Sequence, residues 1–317
     1  MNINYNRGMS ERGEFVTPEI ATGLVQRHLN PDAIVTTVRK LYGGSNNRVL
    51  ELILDRGRGS VVAKVNDHSV AHQLEAERDA LAYFREHTTL PVPKPLGLIV
   101  SDPGFTGVML MMEKIPGTTL ERAKINAGGM QRFEHQLGHH IADLHRHTSD
   151  YFGPAAGATA EQRFGTWLDL YGPIVEREAN GARSMLESAC RDVVDHVAKH
   201  LAYWLDHDPK PTLIHGDLWA NNIMVDDGNP GRPRINAYID GHASFADREY
   251  ELSYLRLFKT AGPYFFNIYR QHHREREGFE RRCRVYWLTT MLQHCRVFGG
   301  KYIPTCERIA HELRRLR

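Results

Sequence analysis

The segment His215-Gly216-Asp217-Leu218-Trp219-Ala220-Asn221-Asn222 constrains this 317-residue chain more than any other stretch. It places a carboxylate, Asp217, and a neutral oxygen donor, Asn222, on one loop, directly ahead of the apolar run Ile223-Met224-Val225. That run reads as a strand. Asp226-Asp227-Gly228-Asn229-Pro230-Gly231 reads as a turn, and Ile235 to Ile239 as the returning strand. A hairpin of this kind brings Asp240 back beside Asn222. Alone, an Asp before Gly241 is ordinary turn chemistry, and its position after the hairpin is what gives it a role.

H-x-D followed by four residues and Asn is also the spacing of a kinase catalytic loop. One carboxylate meets the acceptor hydroxyl, and a neutral oxygen on the same loop reaches a magnesium ion, which takes hard oxygen ligands. Asp240 supplies a second such ligand. Upstream, Val61-Val62-Ala63-Lys64-Val65 reads as a strand, and a helix is expected from about Val70 to Glu86. Leu74, Leu81 and Phe84 form its apolar stripe, and Glu77 falls on that stripe. An inward carboxylate needs a partner, and Lys64 is the obvious one. A strand lysine paired to a helix glutamate is how kinases hold nucleotide phosphates. Gly43-Gly44-Ser45-Asn46-Asn47 lies between two strand segments, where backbone N–H groups can approach phosphates. No Walker A motif occurs, because Gly300-Lys301 is followed by Tyr302, and no G-x-S-x-G elbow is present. The features that remain fall in kinase order.

Composition agrees with a globular protein: hydrophobic residues make up 41% and charged residues 25%. A net charge of +2 argues against nucleic-acid or membrane binding by the whole chain, although nine Lys/Arg face three Asp/Glu between Gly278 and Arg317. Apolar runs such as Val108–Met112 are far short of a membrane span. Cys190, Cys283, Cys295 and Cys306 show no C-x-x-C pair, and reduced, packed thiols in a cytoplasmic protein are expected. His139, His140, His145 and His147 lack an H-E-x-x-H pattern and are not expected to bind metal. Strands are expected at 48–54, 60–65, 97–100, 108–112, 212–214, 223–225 and 235–239, and long helices at 130–147 and 183–205. The parse is α+β with two lobes. Residues 1–112 form a small β-rich N-lobe, with 1–14 a flexible tail, and 113–317 form a larger α-helical C-lobe.

These motifs resemble the protein-kinase-like small-molecule kinases, the superfamily of aminoglycoside phosphotransferases and choline kinases. Within it, HGDLWANN with Trp219, the segment DGHASFADREYEL from Asp240 to Leu252, and Phe298-Gly299-Gly300-Lys301-Tyr302 resemble the fructosamine (ketosamine) kinases. Gly241-His242 departs from that family's Pro-Ala, and Asn221 stands where Gly is usual. The resemblance implies a protein-kinase-like fold using ATP and Mg2+. Asp217 would be the base or orienting carboxylate, with His215 supporting its loop, and Asn222 and Asp240 would hold metal. Lys64, Glu77 and the turn Gly43, Gly44 and Ser45 would bind phosphates, and Met112, Glu113 and Ile115 would meet the adenine.

The expected activity is transfer of the γ-phosphate of ATP to a hydroxyl of a sugar-derived amine of the fructosamine or ribulosamine type. The alternatives are an aminoglycoside- or amino-alcohol-type phosphotransferase, and a non-catalytic nucleotide-binding pseudokinase. A protein kinase is disfavoured, because Gly216 replaces the Arg of H-R-D and no A-P-E follows. The expected partner is a small-molecule acceptor, and the expected state is a monomer or weak homodimer.

Overall fold

The computed structural model describes residues 16–41 and 48–316. The expected phosphate turn (Gly43, Gly44 and Ser45) and the N-terminal tail lie outside the described residues. In chain order the elements are α1 (Pro18–His28), β1 (Val35–Lys40), β2 (Arg48–Leu54), β3 (Ser60–Asn66), α2 (Ala71–His87), β4 (Pro95–Ile99), β5 (Val108–Glu113) and β6 (Thr118–Thr119). They continue with α3 (Ala127–Leu144), β7 (Gly153–Pro154), α4 (Trp167–Ala182), α5 (Ser188–Lys199), α6 (Leu201–Trp204) and β8 (Thr212–Ile214). Then come β9 (Ile223–Asp226), β10 (Arg234–Tyr238), β11 (Ser244–Ala246), α7 (Arg248–Leu257), α8 (Pro263–His272), α9 (Phe279–Phe298) and α10 (Ile303–Arg314).

Contacts group the chain into two units. Of the described residues, one unit, here the helical unit, comprises 126–220 with 243–316; the other, the sheet unit, comprises those from 16 to 125 with Asn221–His242. The sequence placed its division after residue 112. In the structure residues 113–125 and the 221–242 hairpin join the sheet unit because β6 pairs with β9, Thr118 opposite Val225 and Thr119 opposite Met224. Gly117 makes that approach possible. Its φ is +99°, and a Cβ there would lie 2.2 Å from the Val225 carbonyl oxygen.

The sheet unit is built on an antiparallel sheet of order β1-β2-β3-β5-β4. Val108 to Met112 of β5 are all buried, which fits an interior strand read as a continuous apolar run. Along β3 the side chains alternate. Val61, Ala63 and Val65 join a core with Ala21, Leu24 and Val25 of α1, so Lys64 points to the opposite face. The sequence reading missed α1; its start is marked by Thr17, whose hydroxyl accepts from the Ile20 amide, and by Pro18 in the first turn.

In the helical unit, α9 runs through the core and packs against α4, α7 and α10. The sequence pattern also missed α4, which buries Trp167, Tyr171 and Val175. The expected long helix at 183–205 is shorter. A 3-10 turn at Arg183–Met185 precedes α5, and the chain breaks at His200 before α6. A small sheet, β7-β11-β8, sets Ile214 opposite Ser244 and Thr212 opposite Ala246. This register holds the residues just before His215 beside those just before α7. Among the described residues, no helix is long and apolar enough to cross a membrane.

Candidate active site

In the sheet unit, Lys64 is the centre of a three-member ion cluster. Its Nζ donates to Glu77 Oε1 at 2.5 Å and to Asp240 Oδ1. The strand alternation that sends Lys64 away from the α1 core turns it toward the α2 face. On α2, Leu74, Leu81 and Phe84 are buried, and Glu77 lies along the same stripe. Burial works to lower the ammonium's pKa, but the Asp240 and Glu77 carboxylates prevail and hold it above the ordinary lysine value. Burial pushes the Glu77 carboxyl up; Lys64 opposes that and Asp240 adds to it.

Asp240 arrives through the β9–β10 hairpin, in which Tyr238 pairs with Ile223. The next rung, Ile239 N–H to Asn222 O at 3.0 Å, sets the peptide before Asp240 against Asn222. Asp240 itself takes the left-handed conformation, φ 61°, which is strained for a residue with a Cβ. Asn222 is buried, and the Asp240 side chain is a third exposed. The pair offers hard oxygen donors only, the chemistry that suits a magnesium ion. Met112, at the end of β5, lies opposite Val62, two positions along β3 from Lys64. The Glu113 amide donates to the Lys94 carbonyl at 2.9 Å, so that N–H is taken, and Ile115 follows in the linker before Gly117.

In the helical unit, the loop after β8 carries His215, Gly216 and Asp217. His215 is fully buried, with Nδ1 3.4 Å from the Asp217 amide. Gly216 has φ +90°, a turn that aims the following carboxylate. Two residues the sequence reading left without a role hold this loop. The Tyr254 hydroxyl donates to Asp217 Oδ1 at 2.5 Å, and Glu251 Oε1 accepts from the Gly216 amide at 2.7 Å. Both belong to α7, three positions apart and therefore on one face. Glu251 Oε2 also meets His145 Nε2 at 3.0 Å, and His145 Nδ1 meets the Tyr269 hydroxyl at 2.7 Å. The helix buries Glu249 and Glu251 with Leu252 and Leu255, and carboxylates enclosed in this way need specific partners, which only the structure identifies.

A second group of possible metal ligands, His207, Asp247 and Glu249, has its atoms within 4.8 Å of one another. The protein fills it with its own cations. Arg276 Nη1 lies 3.2 Å from Asp247 Oδ1, and Arg282 pairs with Glu249 through two bonds of 2.6 and 3.0 Å.

The fructosamine kinase family profile matches residues 17–315. The chain is 24% identical over 292 residues to the probable ketoamine kinase of Vibrio parahaemolyticus, covering 86% of this chain and 91% of the relative. It is 25% identical over 283 residues to the ketosamine-3-kinase of Mus musculus, covering 78% and 86%. Its fold superposes with TM-score 0.73 and 19% identity on the provisionally named fructosamine-3-kinase structure from Haemophilus somnus, covering 92% of this chain and 96% of that one. The fold is thus protein-kinase-like α+β, and the protein is a phosphotransferase with an alcohol group as acceptor. The chain belongs to the fructosamine kinase family.

Proposed function

We propose that this protein transfers the γ-phosphate of ATP to a hydroxyl of a ketosamine, a sugar-derived amine of the fructosamine or ribulosamine type. The observation that carries the reading is the convergence of Lys64, Glu77 and Asp240 from β3, α2 and the end of the β9–β10 hairpin. That set unites a fixed cation for phosphate oxygens with a carboxylate for metal. Family membership across residues 17–315 and the HGDLWANN loop support the acceptor class.

On this reading Lys64, kept protonated and oriented by Glu77, binds phosphate oxygens, and Met112, Glu113 and Ile115 flank the adenine. Asn222 and Asp240 would hold Mg2+, which would neutralise charge on the phosphates. Asp217, held by Tyr254, accepts the proton of the acceptor hydroxyl as that oxygen attacks. Placement and charge supply the catalysis, with no covalent enzyme intermediate. The division of labour follows: the sheet residues serve the nucleotide, and the helical residues serve the acceptor. A cytoplasmic monomer or weak homodimer acting on small molecules completes the proposal.

The test is ATP consumption by the purified chain with magnesium, against ketosamines, aminoglycosides and simple amino alcohols. Turnover with ketosamines alone is the expected result. Turnover confined to another class would move the acceptor, and ATP binding without turnover on any of them would sink the catalytic reading.

A further inference from the structure

Helices α3 and α8 of the helical unit pack against each other at a contact that requires glycine. A Cβ on Gly138 would lie 2.9 Å from Ile268 Cβ and Cγ2 and 3.2 Å from the Phe265 carbonyl oxygen. His139 follows Gly138 on α3, and His272 lies one turn beyond Ile268 on α8. The close approach therefore brings two imidazoles together. His272 Nε2 is 3.3 Å from His139 Nδ1, and the ring centroids are 5.3 Å apart. His135, one turn before His139 on the same helix face, sets a third ring 4.6 Å from that of His139. All three side chains are exposed.

We propose that His135, His139 and His272 form a binding site for a divalent transition-metal cation of the zinc class, tying α3 to α8. Neutral imidazole nitrogens are ligands of choice for such ions, and three of them with a water complete a tetrahedron. Zinc–nitrogen bonds of about 2.0–2.1 Å give a tetrahedral edge of roughly 3.3 Å, the separation the His139 and His272 nitrogens already have. A bound ion takes the place of the proton that the two nitrogens share, and the exposed rings are free to turn toward it. The sequence set the neighbouring histidines aside for want of an H-E-x-x-H pattern; the ligand from α8 lies 133 residues beyond His139 and is invisible to local spacing.

Proton bookkeeping identifies a fourth residue. Arg146 Nη2 donates to His272 Nδ1 at 3.4 Å, which leaves the His272 proton on Nε2, shared with His139. Coordination through Nε2 moves that proton to Nδ1 and gives up the Arg146 contact. Arg146 therefore opposes the metal through both its hydrogen bond and its charge, and Arg146→Gln should tighten binding.

The experiment is calorimetric titration of zinc chloride into the full chain, free of any histidine tag, with thermal unfolding in zinc and in EDTA. One zinc per chain is expected, with Tm raised by about 2–4 °C at saturation and restored by EDTA. His139→Gln or His272→Gln should weaken binding about 10-fold or more, His135→Gln somewhat less. His200→Gln serves as control, since His196 and His200 form another imidazole pair, 4.6 Å between centroids, and the ring that His196 meets on α6 is the indole of Trp204, which offers no metal ligand. Unchanged binding in that control supports the site. Absence of stoichiometric binding, binding that survives His272→Gln, or equal loss in the control overturns it. Melts in EDTA that match the parent show that each variant folds, and no outcome depends on kinase turnover.

Discussion

Lys64 of the sheet unit and Arg282 of the helical unit are both buried cations, yet they are held in opposite ways. Arg282 and Glu249 are almost entirely enclosed, with side-chain exposures of 2% and 3%, and the guanidinium grips the carboxylate through two bonds. Around them His207, Tyr286 and Arg276 all converge on Asp247, the N-cap of α7. Every charge there is answered from within, so the network fixes α7 against α9 and offers nothing to a ligand. Lys64 is buried too, but its partner Asp240 is a third exposed and sits in a strained backbone conformation. Closure marks a structural network, whereas a cluster open on one side keeps a carboxylate within reach of a ligand.

Asp217→Asn gives the largest expected effect on activity, a fall in kcat of about 10³-fold or more with KM for ATP nearly unchanged. Steady-state kinetics would measure this, and retained activity would show that the loop is misassigned. Next is Arg282→Met, which leaves buried Glu249 with only Arg276, 3.8 Å away, and should cost about 3 kcal/mol of stability. A denaturation midpoint near that of the parent would erase the distinction drawn between the two cations. Lys64→Met tests the open cluster from the other side, with kcat/KM for ATP expected to fall about 100-fold and KM for ATP to rise; an unchanged KM would count against phosphate binding by Lys64. Tyr254→Phe removes the hydrogen bond to Asp217 and should lower kcat about 10-fold while leaving ATP binding alone. The smallest effect concerns Asp102, whose carboxyl the Arg27 guanidinium, and then His28, hold well below the usual carboxylate range. Because its folded pKa is depressed, its stabilising contribution is present above about pH 4 and lost as pH falls toward the depressed value. Asp102→Asn should flatten the acid limb of the stability curve, and an unaltered limb would assign acid unfolding to other groups.

Much of the sheet unit was legible because its information is local. Short strand-forming runs marked β2 and β3, the stripe on α2 singled out Glu77, and the β9–β10 turn predicted the return to Asn222. The helical unit was less legible. Its sequence pattern marked part of α3, but α4 went unread, and the 183–205 run hid a break at His200 that depends on packing. Glu251 and Tyr254 were unreadable as supports for Gly216 and Asp217, since the β8–β11 register alone brings α7 to the loop. His139 was set aside on spacing that contained no trace of His272.

What the sequence determined by itself was the set of chemical groups and their order: Lys64, Glu77, Asp217, Asn222 and Asp240, each on an element whose type its neighbours dictate. Residues a few positions apart on one strand, helix or hairpin have their relative placement fixed by backbone geometry, so a pattern can be read directly. The tertiary structure decided which groups are enclosed and which remain accessible, which carboxylate answers which cation, and where two helices come close enough for their histidines to meet. Those outcomes depend on burial and on contacts between segments distant in the chain, where the decisive energies are desolvation and packing, and no local pattern encodes them.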